Sequence, residues 1–240
     1  MKLPAALLGA TALAFVAAAP AAPRKPSAAG VDWTRTVALQ PSGGYRMGNP
    51  KAKVRLIEYA SLTCPHCRTF DQQGGSPLIR DYVKTGRVSY EVRNFVRDPY
   101  DFSAALISRC NGAKSFFRLT RELLKDQPDW IEKVEATPRS KLEALDGLPM
   151  NRLFVETARI ADLPKWAAAR GIPLAKSRQC LSNTAEINRV MRMTNGATES
   201  YPGFRGTPSF ILNGKLIEAS TWGELEPQLR EALGERGERG

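Results

Sequence analysis

The chain has 240 residues, 42% of them hydrophobic, and its 35 Lys/Arg against 24 Asp/Glu give a formal charge of +11. That is ample material for one substantial domain, or a domain with a large insertion. So basic a chain would suit nucleic acid or an anionic membrane, but no run of five or six Lys/Arg occurs and no basic stretch is interleaved with aromatics. No nucleic-acid partner is expected, and the charge is taken as a solvated basic face.

Lys2 precedes an apolar, alanine-rich run, Leu3 to Ala19, and Ala19-Pro20-Ala21 has the small-x-small form of a cleavage site. This is the layout of a secretory signal peptide over residues 1–21, removed from the mature protein. A membrane anchor is the alternative, for which the run is short and weakly apolar. A secreted chain would work outside the cytosol, where disulfides persist. Residues 22–47 are expected to hold a flexible N-terminus, where Pro, Ala, Gly and Ser dominate up to residue 30, and a short strand. That strand, Thr36 to Leu39, closed by Pro-Ser-Gly-Gly, is the one regular element expected there.

Residues 48–97 form the next unit. A turn, MGNPKA, leads into the strand KVRLIEYA, whose β-branched and aromatic content is typical of sheets. CPHC follows at once, with Pro65 suited to the first turn of a helix. GGSP (74–77) interrupts that helix, so a kinked helix or two in succession is predicted. Gly86 ends it, and Val88, Tyr90 and Val92 alternate along a second strand.

Residues 98–202 carry only helical spacing. Asp98-Pro99 is a cap-and-start signal, followed by Phe102, Leu106 and Cys110. Further helices are expected around 113–125, 150–161, 164–170 and 184–195, broken by Gln-Pro, Asp-Gly-Leu-Pro and Gly-Ile-Pro. Residues 203–235 return to strands at TPSFILNGKLIEA, where Asn213-Gly214 is a two-residue hairpin signal. A last helix, Trp222 to Leu233, aligns Trp222, Leu225, Leu229 and Leu233, and residues 236–240 are expected to be a disordered tail.

A C-x-x-C pair opening the first helix of a βαβ unit is the redox arrangement of the thioredoxin fold. The predicted class is therefore α/β, a thioredoxin fold with a helical insertion between its βαβ and ββα halves. Cys64 at a helix N-terminus meets unpaired N–H groups and the positive end of the dipole, which favour thiolate. His66, the only histidine, is placed to add a hydrogen bond or positive charge. Stabilising the thiolate favours the reduced protein, so the disulfide becomes the stronger oxidant. The alternatives are a purely structural disulfide or a zinc site, the latter lacking about two ligands. If Cys64 and Cys67 pair, Cys110 and Cys180 are left to each other, or stand as two separate buried thiols.

LIEYASLTCPHC, with GTPSFILNG far downstream, resembles the DsbA-type thiol:disulfide oxidoreductases of the bacterial envelope, over about 48–95 and 203–235. The resemblance implies that Cys64 is the exposed nucleophile and Cys67 the resolving cysteine, with Pro65-His66 setting an oxidising poise. It implies a cis-proline loop at Thr207-Pro208 that binds extended substrate. It also implies a buried acid at Glu58, assisting proton movement at Cys67; an edge-strand surface carboxylate is the other reading of Glu58. The Cys110–Cys180 pair resembles a second disulfide of some branches. Thr207 departs from the valine of the best-known oxidase and is shared with isomerases, which puts the poise in question. By resemblance the protein is a monomeric periplasmic oxidase that needs no metal or organic cofactor. It would oxidise unfolded secreted proteins with free thiols and be reoxidised by a DsbB-like membrane partner. The alternatives are an isomerase or reductase kept reduced, and a non-catalytic binding or chaperone module.

Overall fold

The computed structural model describes residues 31–235. The predicted signal peptide, residues 22–30 and the tail at 236–240 lie outside them. Among the described residues no helix is long and apolar enough to cross a membrane.

Six strands build one mixed sheet: β1 (Val37–Leu39), β2 (Tyr45–Met47), β3 (Val54–Ala60), β4 (Val88–Asn94), β5 (Ser209–Leu212) and β6 (Lys215–Ile217). Their order is β1-β2-β4-β3-β5-β6. β3 and β4 run parallel, with Leu56 opposite Tyr90 and Glu58 opposite Val92. β3 is also antiparallel to β5, so it occupies the interior of the sheet. α1 (Pro65–Phe70) lies in the crossover that joins the parallel strands β3 and β4 into a βαβ unit, and α10 (Trp222–Leu233) closes the ββα half. Leu56, Val88, Phe70, Leu225 and Leu229 are at most 2% exposed and belong to the main core. Tyr59 and Ile211 fill a second cluster with Phe95 and Phe204.

Between β4 and β5 the chain is helical throughout. It forms α2 (Pro99–Arg109), α3 (Phe116–Lys125), α4 (Gln127–Glu135), α5 (Arg139–Glu143), α6 (Met150–Ile160), α7 (Leu163–Ala168), α8 (Leu174–Leu181) and α9 (Thr184–Ser200). The insertion thus stands where the spacing places it. α4, α5 and α8 exceed the expectation: Pro128 and Pro173, taken as breaks, stand at the starts of α4 and α8, and Pro138 caps α5. Pro128 lies in the first turn of α4, where its missing N–H costs nothing.

The N-terminal half adds to the expectation. Residues 31–47 hold β1, where a short strand is expected, and β2, which is not; the Pro/Ala/Gly/Ser stretch expected to be flexible lies outside the described residues. Trp33 lies so close to Gly86 that a Cβ there would meet its ring at 2.6 Å, and Pro-Ser-Gly-Gly turns β1 into β2, which joins the sheet beside β4. GGSP does not end the helical winding after CPHC, though it falls where the winding changes. The helix continues through π-helical turns at Asp71–Gly75 and Leu78–Val83. The wider winding accommodates Pro77, which lacks an N–H, and presses bare Gly74 against Trp222. The Asn213–Gly214 hairpin forms as predicted, with φ of 49° and 89°.

Candidate active site

β3 ends at Ala60, and Ser61 to Thr63 turn the chain into α1. Cys64 caps that helix in extended geometry (φ −84°, ψ 119°), and Pro65 opens the first turn. Cys64 is not the exposed cysteine that the resemblance implies: it is 2% exposed, beneath the cis-proline loop, and the two sulfurs differ in their hydrogen bonds rather than in exposure. Cys64 is brought down to about 5, chiefly because the Cys67 S–H donates to it, with the main-chain N–H groups of Cys67 and His66 adding to this against the cost of burial. Its thiol donates to the Thr207 carbonyl at 3.1 Å. Cys67 is fully buried, and burial pushes it well above the ordinary thiol range. The Ser61 N–H, 3.5 Å from the Cys67 sulfur, opposes that rise. Pro65 and His66 face solvent. His66 reaches Cys64 through its main-chain N–H, and among the described residues its ring makes no hydrogen bond.

Glu58 is 3% exposed on the interior strand, not on an edge. Burial raises it to about 8 against a hydrogen bond donated by the Tyr90 hydroxyl; the Asp71 and Cys64 charges raise it further. Its own charge in turn disfavours charge on Cys67. Asp71, on the first π turn, is paired with Arg121 of α3 at 2.8 Å. Gly75 makes room for this pair, since a Cβ there would lie 2.5 Å from the Asp71 carboxylate.

On the other side of Cys64, the Thr207–Pro208 peptide bond is cis. The Thr207 hydroxyl is buried without a partner. From Pro208 a groove of about 790 Å³ runs past Arg205, Gly203 and the β6 residues Leu216 and Ile217.

The insertion holds the turn that precedes Cys64. Asp101 of α2 accepts from the Ser61 hydroxyl at 2.6 Å, the Leu62 N–H at 2.7 Å and the Arg97 N–H at 3.0 Å. Burial brings Asp101 up to about 7, with those donors opposing and Asp98 reinforcing. Asp98 accepts from the Thr63 hydroxyl at 2.8 Å and caps α2. Gln127 of α4 donates to the carbonyls of Leu62 and Cys64 at 2.7 and 3.1 Å. Sequence reasoning found Asp98 only as a cap and missed Asp101 and Gln127. An acidic residue in a first helical turn looks like an ordinary dipole partner, and nothing local marks it as buried. Cys110, at the end of α2, is bonded to Cys180 of α8 across 70 residues, with the Cα atoms 5.4 Å apart. The site therefore joins Cys64, Cys67, Glu58, Thr207 and Pro208, while this second disulfide stays within the insertion.

A family model described as thioredoxin matches residues 41–231. The chain belongs to the thioredoxin family. A protein-disulfide isomerase from Novosphingobium aromaticivorans is 33% identical and superposes with a TM-score of 0.74, covering 78% of this chain and 96% of that one. The alpha-DsbA1 of Wolbachia pipientis has the same fold at 19% identity and a TM-score of 0.61, covering 82% of this chain and 94% of that one. A relative from Rickettsia prowazekii, named as a protein-disulfide oxidoreductase, is 27% identical over 188 residues, covering 78% of this chain and 60% of the relative. The chain thus spans about three fifths of the length of such curated relatives. In this thioredoxin-family chain the helical insertion stands between the two halves of the fold, as the sequence predicts.

Proposed function

We propose that this protein is a thiol:disulfide oxidoreductase acting as an oxidase, which donates the Cys64–Cys67 disulfide to secreted proteins as they fold. The observation that carries this is the asymmetry of the two sulfurs, Cys64 near 5 and Cys67 far above the thiol range. A substrate thiolate attacks the Cys64 sulfur; the Cys64–Cys67 bond breaks and its electron pair goes to Cys67. A second substrate thiolate then attacks the substrate sulfur of the mixed disulfide, and Cys64 leaves as a stable thiolate. The substrate is oxidised by two electrons and the enzyme reduced. Glu58, protonated at neutral pH, is the proposed proton donor to Cys67, and Pro208 and Thr207 are the proposed seat for the substrate backbone.

Only the part of the Cys64 shift lying below ambient pH favours the dithiol at pH 7. That part is about 2 pKa units, at most about 2.7 kcal/mol or about 60 mV for a two-electron couple. The sign favours oxidation. A periplasmic location is part of the proposal, supported by the Cys110–Cys180 disulfide, a bond that persists in oxidising compartments. The proposed partners are unfolded proteins with free thiols and a DsbB-like membrane reoxidase, and thiol exchange itself uses no metal or organic cofactor.

The test is the redox equilibrium of the mature protein against glutathione. A potential well above that of thioredoxin supports the oxidase. A thioredoxin-like potential overturns it in favour of an isomerase or reductase, the reading favoured by the name of the 33%-identical relative. Cys64→Ser abolishes exchange under either reading, and full activity in that variant would point to a non-catalytic binding module.

A further inference from the structure

Exchange at Cys64–Cys67 has a physical difficulty at its buried end. When the disulfide is attacked, the electron pair arrives on the Cys67 sulfur, which is fully buried. Of the ionisable groups facing it, Glu58 from β3 opposes charge there when ionised, and Cys64, which caps α1, does so once it is a free thiolate. The one N–H that points at this sulfur among the described residues belongs to Ser61, at 3.5 Å. A main-chain donor aimed at developing charge works only if the peptide carrying it is held in place.

The carbonyl of that peptide, Ala60, accepts from the Phe95 N–H at 2.9 Å, and the residue that follows it is held from the insertion. Asp101 is 1% exposed. One carboxylate oxygen accepts from the Leu62 N–H and the other from the Ser61 hydroxyl and the Arg97 N–H. The charged groups around Asp101 are Asp98, which caps the same helix, and Arg97, whose guanidinium is turned to the Thr63 carbonyl at 3.0 Å. No cationic side chain is bonded to Asp101 among the described residues, so its contacts are spent on the turn itself. We infer that Asp101 is a positioning residue for the resolving sulfur: by gripping Ser61 and Leu62 it aims the Ser61 N–H at Cys67 as charge arrives there and departs. The inference rests on the exchange chemistry proposed above, and it places the anchor of that chemistry in the inserted helices.

Asp101→Asn tests it. An amide puts N–H groups where the Ser61 hydroxyl or the main-chain donors need an acceptor, so the grip is lost at nearly constant volume. In a Cys64→Ala background, Cys67 is titrated by its alkylation rate against pH. Asp101→Asn is expected to raise its pKa by about one unit, the weight of one hydrogen bond to a charged group. With both cysteines present, a thionitrobenzoate mixed disulfide on Cys64 is released by Cys67, and that release is expected to slow roughly tenfold at fixed pH. In a Cys67→Ala background the Cys64 titration should not move. A folded Asp101→Asn variant with unchanged Cys67 titration and release rate overturns the inference and leaves Asp101 as architecture. If that variant does not fold, Ser61→Ala removes one of the three contacts and keeps the N–H. The same effects are expected at about threefold, and their absence overturns the inference equally. The Cys67 titration does not depend on the direction of electron flow, so a low reduction potential would refute the oxidase and leave this result standing.

Discussion

The acidity of Cys64 is assigned first to a hydrogen bond donated by Cys67, and replacing Cys67 isolates that contact. Cys67→Ala removes the donor but keeps the helix end and the main-chain N–H groups of residues 66 and 67. A hydrogen bond to a charged acceptor is worth about 1.5–3 kcal/mol, so Cys64 should rise by about one to two pKa units. At pH 7 the thiolate fraction would fall from about 99% to between about 90% and 50%. Cys67→Ser restores an O–H donor at the same place and should keep Cys64 within about half a unit of the native value. The assay is the ultraviolet absorbance of the thiolate against pH, checked by the pH dependence of alkylation. If the alanine and serine variants titrate like each other and like the native protein, the reasoning fails. The helix terminus and main-chain donors would then carry the whole effect. His66→Ala makes a useful control, because the ring faces solvent while the N–H it leaves behind still reaches the sulfur.

Glu58→Gln should change how stability depends on pH. Glu58 is near 8 in the fold against about 4.5 unfolded, so the folded state holds its proton more tightly and loses stability as pH rises between those values. The variant should match the native protein near pH 4 and gain on it up to pH 8, by at most about 5 kcal/mol. Urea unfolding at several pH values measures this, and a constant gap would mean that Glu58 titrates as a surface carboxylate. Replacing Cys110 and Cys180 together by serine opens a loop of 70 residues. It should lower stability by about 4 kcal/mol, seen as a fall in denaturation midpoint with a steeper slope as the uncrosslinked unfolded chain exposes more surface, while the Cys64–Cys67 potential stays put.

Much of the frame was legible because it is written locally. The CPHC pair at a strand-to-helix junction, the Asn213–Gly214 hairpin, the stripe of the last helix and the helical content of residues 98–202 all rest on neighbours in sequence. What was not legible depends on partners far along the chain. Glu58 could have lain on an edge; it is buried because β5, more than 140 residues later, pairs with β3 on its open side. β2 was missed because its three residues become a strand through pairing with β1 and with β4, which lies more than 40 residues on. The π turns after Phe70 depend on Trp222 and Arg121, which no reading of GGSP could supply. Asp101 and Gln127 were missed for the same reason, since their partners are peptide groups of another element. The second disulfide was open in sequence because four cysteines allow three pairings.

The way the turn before Cys64 is held bears on what could be transplanted from this protein. A designer who trimmed residues 98–202 to obtain a minimal scaffold would leave the Leu62 N–H, the Ser61 and Thr63 hydroxyls and the Leu62 and Cys64 carbonyls without the side chains that now satisfy them. Each would be a bare polar group beside a buried sulfur. The smaller chain would have to recruit water there, and water is a source of mobility and protons next to Cys67. Grafting CPHC onto another thioredoxin frame would carry the letters without their mounting. In this chain the portable unit of redox behaviour is the motif together with the inserted helices that brace it.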